Sequence, residues 1–342
     1  MKRLICAAVL FFVLLSGCVS EQKKPEQKQY NATFLELFDT VTTVVGKADS
    51  KEAFEENAQL VHDELLAYHQ LFDIYNDYEG IHNLKTINDS AGTQPVEVDE
   101  RIIDLLLDCK RYYTLTDGKV NVAMGSVLKL WHEARNDGVN DPLNARLPEA
   151  SALKAAAEHT ALDAVIIDED KGTVYISDPE VRLDVGAVGK GWACQRICET
   201  LPEGLLISVG GNVCATGPKD SSGTPWVIGV QDPDNASDFL HTVNLKKGSV
   251  VTSGDYQRAY EVDGKLYHHI IDPETLYPST YWRSVTIVCE DSGLSDALST
   301  ALFLLPLEQG TALLEKCGAE AMWVDVDGEI FYSDGFAELI RT

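Results

Sequence analysis

Residues 183–191 read Leu-Asp-Val-Gly-Ala-Val-Gly-Lys-Gly and lead into a helical pattern that begins at Trp192. Glycines between a strand and a helix let backbone N–H groups approach a ligand, and the N-terminus of a helix favours phosphate. Lys190 adds a positive charge where the helix dipole is already positive. The stretch does not match the P-loop spacing. It predicts a phosphate-binding turn, although a tight strand-to-helix turn without a ligand explains the same residues equally well.

Helical and strand patterns continue on both sides of this stretch. Apolar spacing predicts helices at residues 51–68, 99–116, 148–159, 192–201, 294–304 and 307–317. Runs rich in β-branched residues predict strands at 164–167, 173–176, 205–209, 226–230, 284–288 and 321–326, and Asp263-Gly264 predicts a hairpin. The predicted fold class is therefore α/β, in a mixed α+β form, with one composite domain of mixed sheets flanked by helices.

The amino-acid composition argues against some classes of binding partner. The chain has 342 residues, 45% of them hydrophobic, and 28 basic against 54 acidic residues give a formal net charge of -26. A nucleic-acid binder needs clustered Lys and Arg, so the acidic excess argues against that class. It argues equally against a protein held on an anionic membrane by basic patches. Phosphate groups would have to be bound locally, by backbone N–H groups, a few cations or a metal ion.

The N-terminus predicts export. Lys2 and Arg3 precede an entirely apolar run at 4–15, which is too short for a transmembrane helix. Leu15-Ser16-Gly17-Cys18 resembles a bacterial lipobox, in which the Cys is diacylated, for example with palmitate; an ordinary signal peptide with an incidental Cys is the alternative. We expect a signal peptide at 1–17, the lipidated Cys18 and a flexible tether at 18–33, and a folded domain at 34–342. The protein would then be lipid-anchored at the cell membrane, on its extracytoplasmic or periplasmic face.

A second segment offers hard oxygen ligands. It reads Ser295-Asp296-Ala297-Leu298-Ser299-Thr300. Asp296 and Thr300 are four residues apart, so on a helix their oxygens point to one side. One carboxylate and one hydroxyl suit Mg²⁺ that keeps waters and takes substrate phosphates. Helix capping by Ser295 or Asp296 is the simpler alternative.

A third segment carries a candidate proton carrier. Residues 251–256 read VTSGDY, and beyond the hairpin residues 267–273 read YHHIIDP. Two adjacent histidines on a strand face opposite sides, so at most one of His268 and His269 faces a site. A histidine beside a phosphorylated ligand can act as an acid or a base, because its ordinary pKa is near neutrality. A surface or hydrogen-bonded structural histidine is the usual alternative.

Two turn-rich segments could hold a planar ring, or could be ordinary loops. They are residues 116–125 (TDGKVNVAMG) and residues 72–76 with 83–88. Together with the segments above they resemble one family, the FAD:protein FMN transferases, also called ApbE-like flavin transferases. The resemblance runs from about residue 34 to 336. It rests on ordered matches that also include Phe38-Asp39-Thr40, Val209-Gly210-Gly211-Asn212 and Pro225-Trp226.

The resemblance implies that FAD is a substrate and that Mg²⁺ lies against its pyrophosphate. It implies metal binding by Asp296, Thr300 and the backbone carbonyl of Ala187. It implies contacts to FAD from Phe38, Tyr75, Lys119, Val120, Asn121, Asp184, Lys190 and Ile271. The family reaction moves FMN onto a Thr or Ser hydroxyl of a partner flavoprotein, such as a membrane redox subunit or an extracellular flavoprotein, and releases AMP.

We expect His269 and Asp296 to be the catalytic residues, with His269 assisting proton transfer and Asp272 orienting its loop. Two other functions fit the same site. With water as the nucleophile it would be an FAD pyrophosphatase that yields FMN and AMP, and without chemistry it would be an FAD-binding lipoprotein.

Three positions depart from the family pattern. Many members carry Asp where Asn121 stands, Gly where Leu276 stands and Ala where Ser295 stands. Asn121 keeps hydrogen-bonding capacity without charge. Leu276 lacks easy access to positive φ, which is expected to affect the conformation of its loop.

Overall fold

The computed structural model describes residues 27–35, 37–235 and 237–341. The predicted signal peptide, Cys18 and most of the predicted tether lie outside the described residues. Within those ranges no helix has the length and apolar character needed to cross a membrane.

The described chain alternates strands and helices. The strands are β1 (Lys28–Phe34), β2 (Thr42–Ala48), β3 (Val96–Glu97), β4 (Val165–Asp168), β5 (Thr173–Ile176), β6 (Leu205–Val209), β7 (Asn212–Ala215), β8 (Trp226–Gln231), β9 (Phe239–Leu245), β10 (Gly248–Gly254), β11 (Tyr260–Val262), β12 (Lys265–Tyr267), β13 (Trp282–Cys289), β14 (Glu320–Asp325) and β15 (Ile330–Tyr332). The helices are α1 (Lys51–Phe72), α2 (Leu84–Asp89), α3 (Glu100–Leu115), α4 (Gly125–Asn140), α5 (Ala150–Ala157), α6 (Gly189–Thr200), α7 (Ser292–Phe303), α8 (Leu307–Leu314) and α9 (Phe336–Leu339).

An eight-stranded sheet organises the molecule, in the order β1-β2-β6-β7-β10-β13-β14-β15. Each neighbouring pair in it is antiparallel. Smaller antiparallel sheets are formed by β3-β5-β4, by β8-β9 and by the β11-β12 hairpin. The predicted fold class, a mixed α/β single domain, is confirmed, with antiparallel ladders between all of these strands.

Both faces of the large sheet are buried. On one face α1, α6 and α7 contribute to the main core, which includes Leu65, Trp192, Leu298 and Trp323. The opposite face is covered by the β8-β9 hairpin and α9, around Trp226, Val243 and Phe336. A third cluster, with Trp131, Leu153 and Ile271, lies where α4 and α5 meet the β11-β12 hairpin. The candidate site lies where the main and third clusters adjoin.

Every predicted helix and strand is present, with ends that differ by a few residues. The predicted hairpin is confirmed, and Asp263 and Gly264 both have positive φ in its turn. α6 begins at Gly189 rather than at residue 192, because the glycines of the turn already adopt helical geometry. Helices α2, α4 and α9 were not predicted.

The start of the folded unit also differs from the predicted boundary at residue 34. Residues 28–34 form β1, paired with β2 along its length. Tyr30, Ala32 and Phe34 are partly buried in alternation and pack against the main core, with the Tyr30 ring stacked 5.7 Å from that of Phe54. The period-two pattern of these residues determines the strand, although the segment is polar on its other face.

Candidate active site

The glycine-rich turn forms the N-terminus of α6. The Asp184 carboxylate accepts a hydrogen bond from the N–H of Gly186 at 2.8 Å, and the carbonyl of Val185 accepts one from Gly189 at 2.8 Å. No side chain caps the helix. The Lys190 ammonium lies 3.4 Å from the Gly186 carbonyl oxygen. The turn thus presents a helix N-terminus and a lysine, the arrangement predicted for phosphate binding.

Asp296 joins this turn to α7. The carboxylate is only 5% exposed, and its Oδ2 accepts a hydrogen bond from the Gly191 N–H at 2.8 Å. The Lys190 ammonium lies 4.0 Å from the same oxygen. A β-carbon at position 191 would lie 2.3 Å from the Ser292 carbonyl oxygen and 2.5 Å from the Asp296 β-carbon. The close contact between the two helices therefore requires glycine at position 191.

The predicted metal ligands fit a sparse oxygen site. Asp296 has an Oδ1 that accepts no hydrogen bond, and neither the Thr300 hydroxyl nor the Ala187 carbonyl is hydrogen-bonded, among residues 27–35, 37–235 and 237–341. These are hard oxygen donors of the type that Mg²⁺ takes together with waters and phosphates. Within the same ranges no three His, Cys, Asp or Glu side chains form a metal cluster. Any ion here would rely on a single carboxylate.

Two hydrogen bonds between serine hydroxyls join α7 to β10. Ser249 and Ser295 are joined at 2.7 Å between their Oγ atoms, and Ser253 and Ser299 at 2.8 Å. The Ser299 hydroxyl lies 2.8 Å from the Asp296 carbonyl oxygen. Ser295, one of the departures from the family pattern, therefore has a buried and satisfied hydroxyl.

His269 is held as a neutral imidazole. Its Nδ1–H donates to the Gln257 carbonyl at 3.1 Å, which leaves Nε2 as an acceptor. Burial, together with the charges of Arg258, Lys190 and Arg135, lowers the pKa of His269 to about 3. His268 points elsewhere: its Nε2–H donates to the Ser279 carbonyl at 2.8 Å. The expectation that at most one of the two histidines faces a site agrees with this arrangement.

Two arginines beside His269 were not predicted from sequence. Arg258 follows Gln257, is exposed and has a φ of 46°, in the left-handed region. Arg135 projects from α4, and its guanidinium lies 3.3 Å from Nδ1 of His132. Neither forms an ion pair with a carboxylate in the described part of the chain. Burial and the charge of Arg258 lower the pKa of Arg135. The site therefore holds adjacent positive charges without a protein counter-ion.

Aromatic side chains border these arginines. Tyr75 is 56% exposed, its hydroxyl lies 3.2 Å from Nδ1 of His132, and the two rings are 5.4 Å apart. Enclosure and the charge of Asp184 raise the pKa of Tyr75 to about 12, so its hydroxyl stays protonated. Phe38 has a φ of 53°, and its N–H donates to Nδ1 of His69 at 3.2 Å. Both predicted ring contacts are available at the surface.

The segment around Lys119 is tied to the His269 loop. The Lys119 ammonium pairs with Asp272 at 3.0 Å and Glu274 at 2.8 Å, and these ion pairs raise its pKa against the opposing effect of burial. Asp272 therefore anchors the loop, in keeping with its expected role. Asn121 has both amide atoms engaged, since Nδ2 donates to the Thr160 carbonyl at 2.8 Å and Oδ1 accepts from Ala123 at 2.9 Å.

Two of the predicted contacts to FAD can be made only by the backbone. Val120 is 2% exposed and Ile271 is 5% exposed, so their side chains belong to the core. The loop after Ile271 keeps a left-handed residue at Leu276, with a φ of 65°. The Leu276 carbonyl accepts a hydrogen bond from the Trp131 indole at 2.9 Å, and its N–H donates to the Asp272 carbonyl at 2.8 Å. The loop thus adopts the conformation that a glycine would take freely.

The structure brings most of the predicted residues to one region. Lys190, Ala187, Asp296 and Thr300 lie at the contact between α6 and α7, and His269 is close enough to Lys190 to be affected by its charge. The charge of Asp184 likewise affects Tyr75, which therefore lies near the glycine-rich turn. Arg135, Arg258 and His132 were not predicted from the sequence. A sequence signal existed only for Arg258, which lies two residues after the VTSGDY segment.

Comparison with known proteins identifies the family. The sequence profile of the ApbE family matches residues 38–323. The chain belongs to the ApbE family. It is 33% identical to the FAD:protein FMN transferase of Klebsiella pneumoniae (strain 342), over 80% of this chain and 86% of that protein. It is also 33% identical to the FAD:protein FMN transferase of Treponema pallidum (strain Nichols), over 75% of each.

Solved structures agree with this placement. The crystal structure of the ApbE protein from Thermotoga maritima matches with a TM-score of 0.81 and 31% identity, covering 92% of this chain and 100% of that one. The family predicted from sequence and the enzyme class, a flavin transferase, are confirmed for this ApbE-family chain.

Proposed function

We propose that this chain transfers FMN from FAD onto a Thr or Ser hydroxyl of an acceptor flavoprotein and releases AMP, with Mg²⁺ as the metal. The observation that carries the proposal is the buried Asp296 carboxylate. It lies at the N-terminus of α6, next to Lys190 and in the same site as a neutral His269. The FAD:protein FMN transferases of Klebsiella pneumoniae and Treponema pallidum support it by their similarity.

The chemistry is an in-line displacement at phosphorus. The acceptor hydroxyl oxygen forms a bond to the FMN-side phosphorus while the bond from that phosphorus to the bridging oxygen breaks. AMP leaves with the electron pair. The hydroxyl proton passes to Nε2 of His269, the free acceptor atom of that ring, and from there to solvent. Lys190 and the N-terminus of α6 offset negative charge on the phosphates.

Mg²⁺ bound by Asp296, Thr300 and the Ala187 carbonyl would supply further positive charge against the pyrophosphate. The residues of the chain orient this arrangement. The N–H of Gly191 fixes Oδ2 of Asp296, so that Oδ1 is left for the ion. Lys119 and Asp272 hold the loop that carries His269.

We also propose that the enzyme acts at the extracytoplasmic face of the cell membrane, anchored by a lipid on Cys18. The Leu15-Ser16-Gly17-Cys18 segment supports this placement. Acceptors would then be flavoproteins that face the same compartment, such as membrane redox subunits. Radiolabelled palmitate incorporated by the wild-type protein, and absent from a Cys18→Ala variant, would test the anchor.

Weighing an acceptor protein after reaction tests the transfer. The mature protein, FAD, MgCl₂ and an acceptor flavoprotein domain are incubated, and the products are analysed by mass spectrometry and nucleotide chromatography. An acceptor gain equal to the mass of FMN less water, together with AMP, supports transfer. AMP and free FMN without a mass gain would make the chain a pyrophosphatase, and unchanged FAD would reduce it to a binding protein.

Asp296→Asn tests the role of the carboxylate without removing the acceptor for the Gly191 N–H. The transfer rate should fall by at least about 100-fold, because a buried charge at the reacting phosphates is lost. Glu308→Gln, on the exposed side of α8, removes the same charge outside the site and should leave the rate unchanged. Full activity of Asp296→Asn in EDTA would refute the metal assignment.

A further inference from the structure

Arg258 and Arg135 form an arrangement that is electrostatically unfavourable without a ligand. The two side chains come from separate elements, the segment after β10 and helix α4. Arg258 directly follows Gln257, whose carbonyl accepts the hydrogen bond from His269, and the Arg135 guanidinium lies 3.3 Å from Nδ1 of His132, whose ring is 5.4 Å from that of Tyr75. The charge of Arg258 also acts on Arg135, and no carboxylate pairs with either arginine in the described ranges. Like charges placed together favour an anion that binds between them. The chain has a net charge of -26, so acidic residues are abundant, yet none of them pairs with either arginine in the described ranges.

The geometry connects this pair to His269. The Gln257 carbonyl, next to Arg258 in the chain, accepts the hydrogen bond from Nδ1 of His269 at 3.1 Å. The backbone that positions Arg258 therefore also positions the imidazole. Arg258 itself has a φ of 46°, a left-handed conformation that is strained in a residue other than glycine. Such strain is common where a side chain is held for function.

We propose that Arg258 and Arg135 bind the phosphate on the flavin side of FAD, the group that is transferred. This inference rests on the proposed function, because it places the phosphate beside the base. His269 has to reach the hydroxyl that attacks that phosphorus, so a cation fixed to the backbone next to His269 faces the same phosphate. Arginine suits the task because its planar guanidinium binds two phosphate oxygens at once.

Phosphate binding would also prepare His269 for its role. The charged groups that act on its ring are Arg258, Lys190 and Arg135, with His268 as a further titratable neighbour. A bound phosphate offsets the positive charges, which raises the pKa of the imidazole and makes it a better proton acceptor when the substrate is in place. By binding the phosphate, the two arginines would thereby make His269 a better base when the substrate occupies the site.

Binding measurements with three flavins test the proposal. Flavin fluorescence is titrated with wild-type protein in MgCl₂ using FAD, FMN and riboflavin, of which only riboflavin lacks phosphate. The Arg135→Met, Arg258→Met double variant should bind FAD and FMN at least about tenfold more weakly, while its affinity for riboflavin stays within about twofold. Arg258→Lys should restore part of the loss, since it keeps the charge but not the planar fork.

The Arg111→Met, Lys171→Met double variant is the matched control. Both side chains are exposed and lie outside the candidate site, on α3 and in the β4-β5 turn, and the two substitutions change the net charge equally. It should leave all three affinities unchanged. Thermal denaturation of each variant shows whether the fold is kept.

Three other results would overturn the proposal. The first is a double variant that binds FMN as tightly as the wild-type protein does. The second is an equal loss of affinity for riboflavin, which would show a general effect on the fold, and the third is a loss for FAD alone, which would place the two arginines at the AMP side. These outcomes are separate from the acceptor assay. A wild-type protein that binds flavin phosphates as expected but gives no acceptor mass gain would refute the proposed function and leave this inference standing.

Discussion

A neutral His269 makes a pH-dependent contribution to stability. Its pKa is about 3 in the folded protein, whereas a free histidine titrates near 6.5. Because the folded value is lowered, the unfolded chain binds the proton more readily between these two pH values. The contribution of His269 to folding is therefore complete above about pH 6.5, and it is lost progressively as the pH falls towards 3.

His269→Gln should remove this dependence. We expect the melting temperature of the variant, relative to wild type, to rise as the pH is lowered from 7 to 4, because Gln takes up no proton. Differential scanning calorimetry at matched ionic strength measures the difference. His159→Gln is the control with the opposite sign, since the hydrogen bond that its ring donates to the Asp178 carboxylate raises the pKa of His159. A constant difference between His269→Gln and wild type would contradict the prediction.

At position 276 glycine is expected to stabilise the fold more than alanine does, which reverses the usual order. At a φ of 65° a β-carbon is strained, and a glycine is not. We expect Leu276→Gly to be more stable than Leu276→Ala by about 1 kcal/mol, although alanine normally stabilises a chain relative to glycine. Both variants lose the same packing against Trp131, so their difference isolates the backbone. Urea denaturation measures it, and a more stable alanine variant would show that the loop relaxes.

Single residues could be proposed for the site where the motif itself specified their chemistry. Lys190 and Asp296 meet as expected from the sequence. Arg135 could not be predicted, because its proximity to Arg258 depends on how α4 packs against the hairpin. The hydrogen bond from Asn121 Nδ2 depends on Thr160, which is distant in the chain.

The contact between α6 and α7 is the most sensitive element interface in the site. Gly191→Ala would force a β-carbon to within 2.3 Å of the Ser292 carbonyl oxygen. We expect a loss of more than about 2 kcal/mol in the free energy of unfolding, because backbone on both sides has to move. The hydrogen bond to Asp296 would shift with it, so the transfer rate should fall as well.

Gly189→Ala, two residues earlier in the same helix, is the matched control. Its β-carbon would lie 3.3 Å from a Val185 methyl group, which is free to adjust. We expect a change within about 1 kcal/mol, partly offset by the higher helix propensity of alanine. Chemical denaturation compares the two variants. Equal losses at positions 189 and 191 would argue against a specific close contact.

Local signals at helix ends account for part of the prediction: α2 has a capping box and was not predicted, whereas α6 and α8 were predicted without side-chain caps. Asp99 and Asp291 cap α3 and α7 with side-chain hydrogen bonds, and both helices were predicted. α4 begins at Gly125 without a side-chain cap and contains Gly138, so its pattern resembles a loop. Its position is determined by tertiary contacts such as the bond from the Trp131 indole to Leu276.

At the scale of the whole molecule, β1 determines where the domain starts. A chain that begins at Leu35 would lose Tyr30, Ala32 and Phe34 from the surface of the main core and expose the edge of β2. We expect this to cost about 2 kcal/mol, or roughly 5 °C in melting temperature. A chain that begins at Gln27 retains β1 and should melt like the full-length protein. Equal melting temperatures of the two chains would show that the domain starts near residue 34, as predicted from the sequence.

The class of fold followed from the alternation of helix and strand patterns, but the order of the large sheet did not. β6 lies between β2 and β7, and more than 150 residues separate it from β2 in the chain. Pairing across such a distance depends on the core that forms around α1 and α6, and no local pattern specifies it.

Strand β1 also has a mechanical consequence. Any tension on the chain before Lys28 acts first on the edge of the large sheet, where seven register pairs join β1 to β2. Only a short connection separates the end of β1 from Phe38 at the rim of the site. Pulling at the N-terminus would therefore have to break the β1-β2 ladder before the tension reached Phe38 and the candidate site.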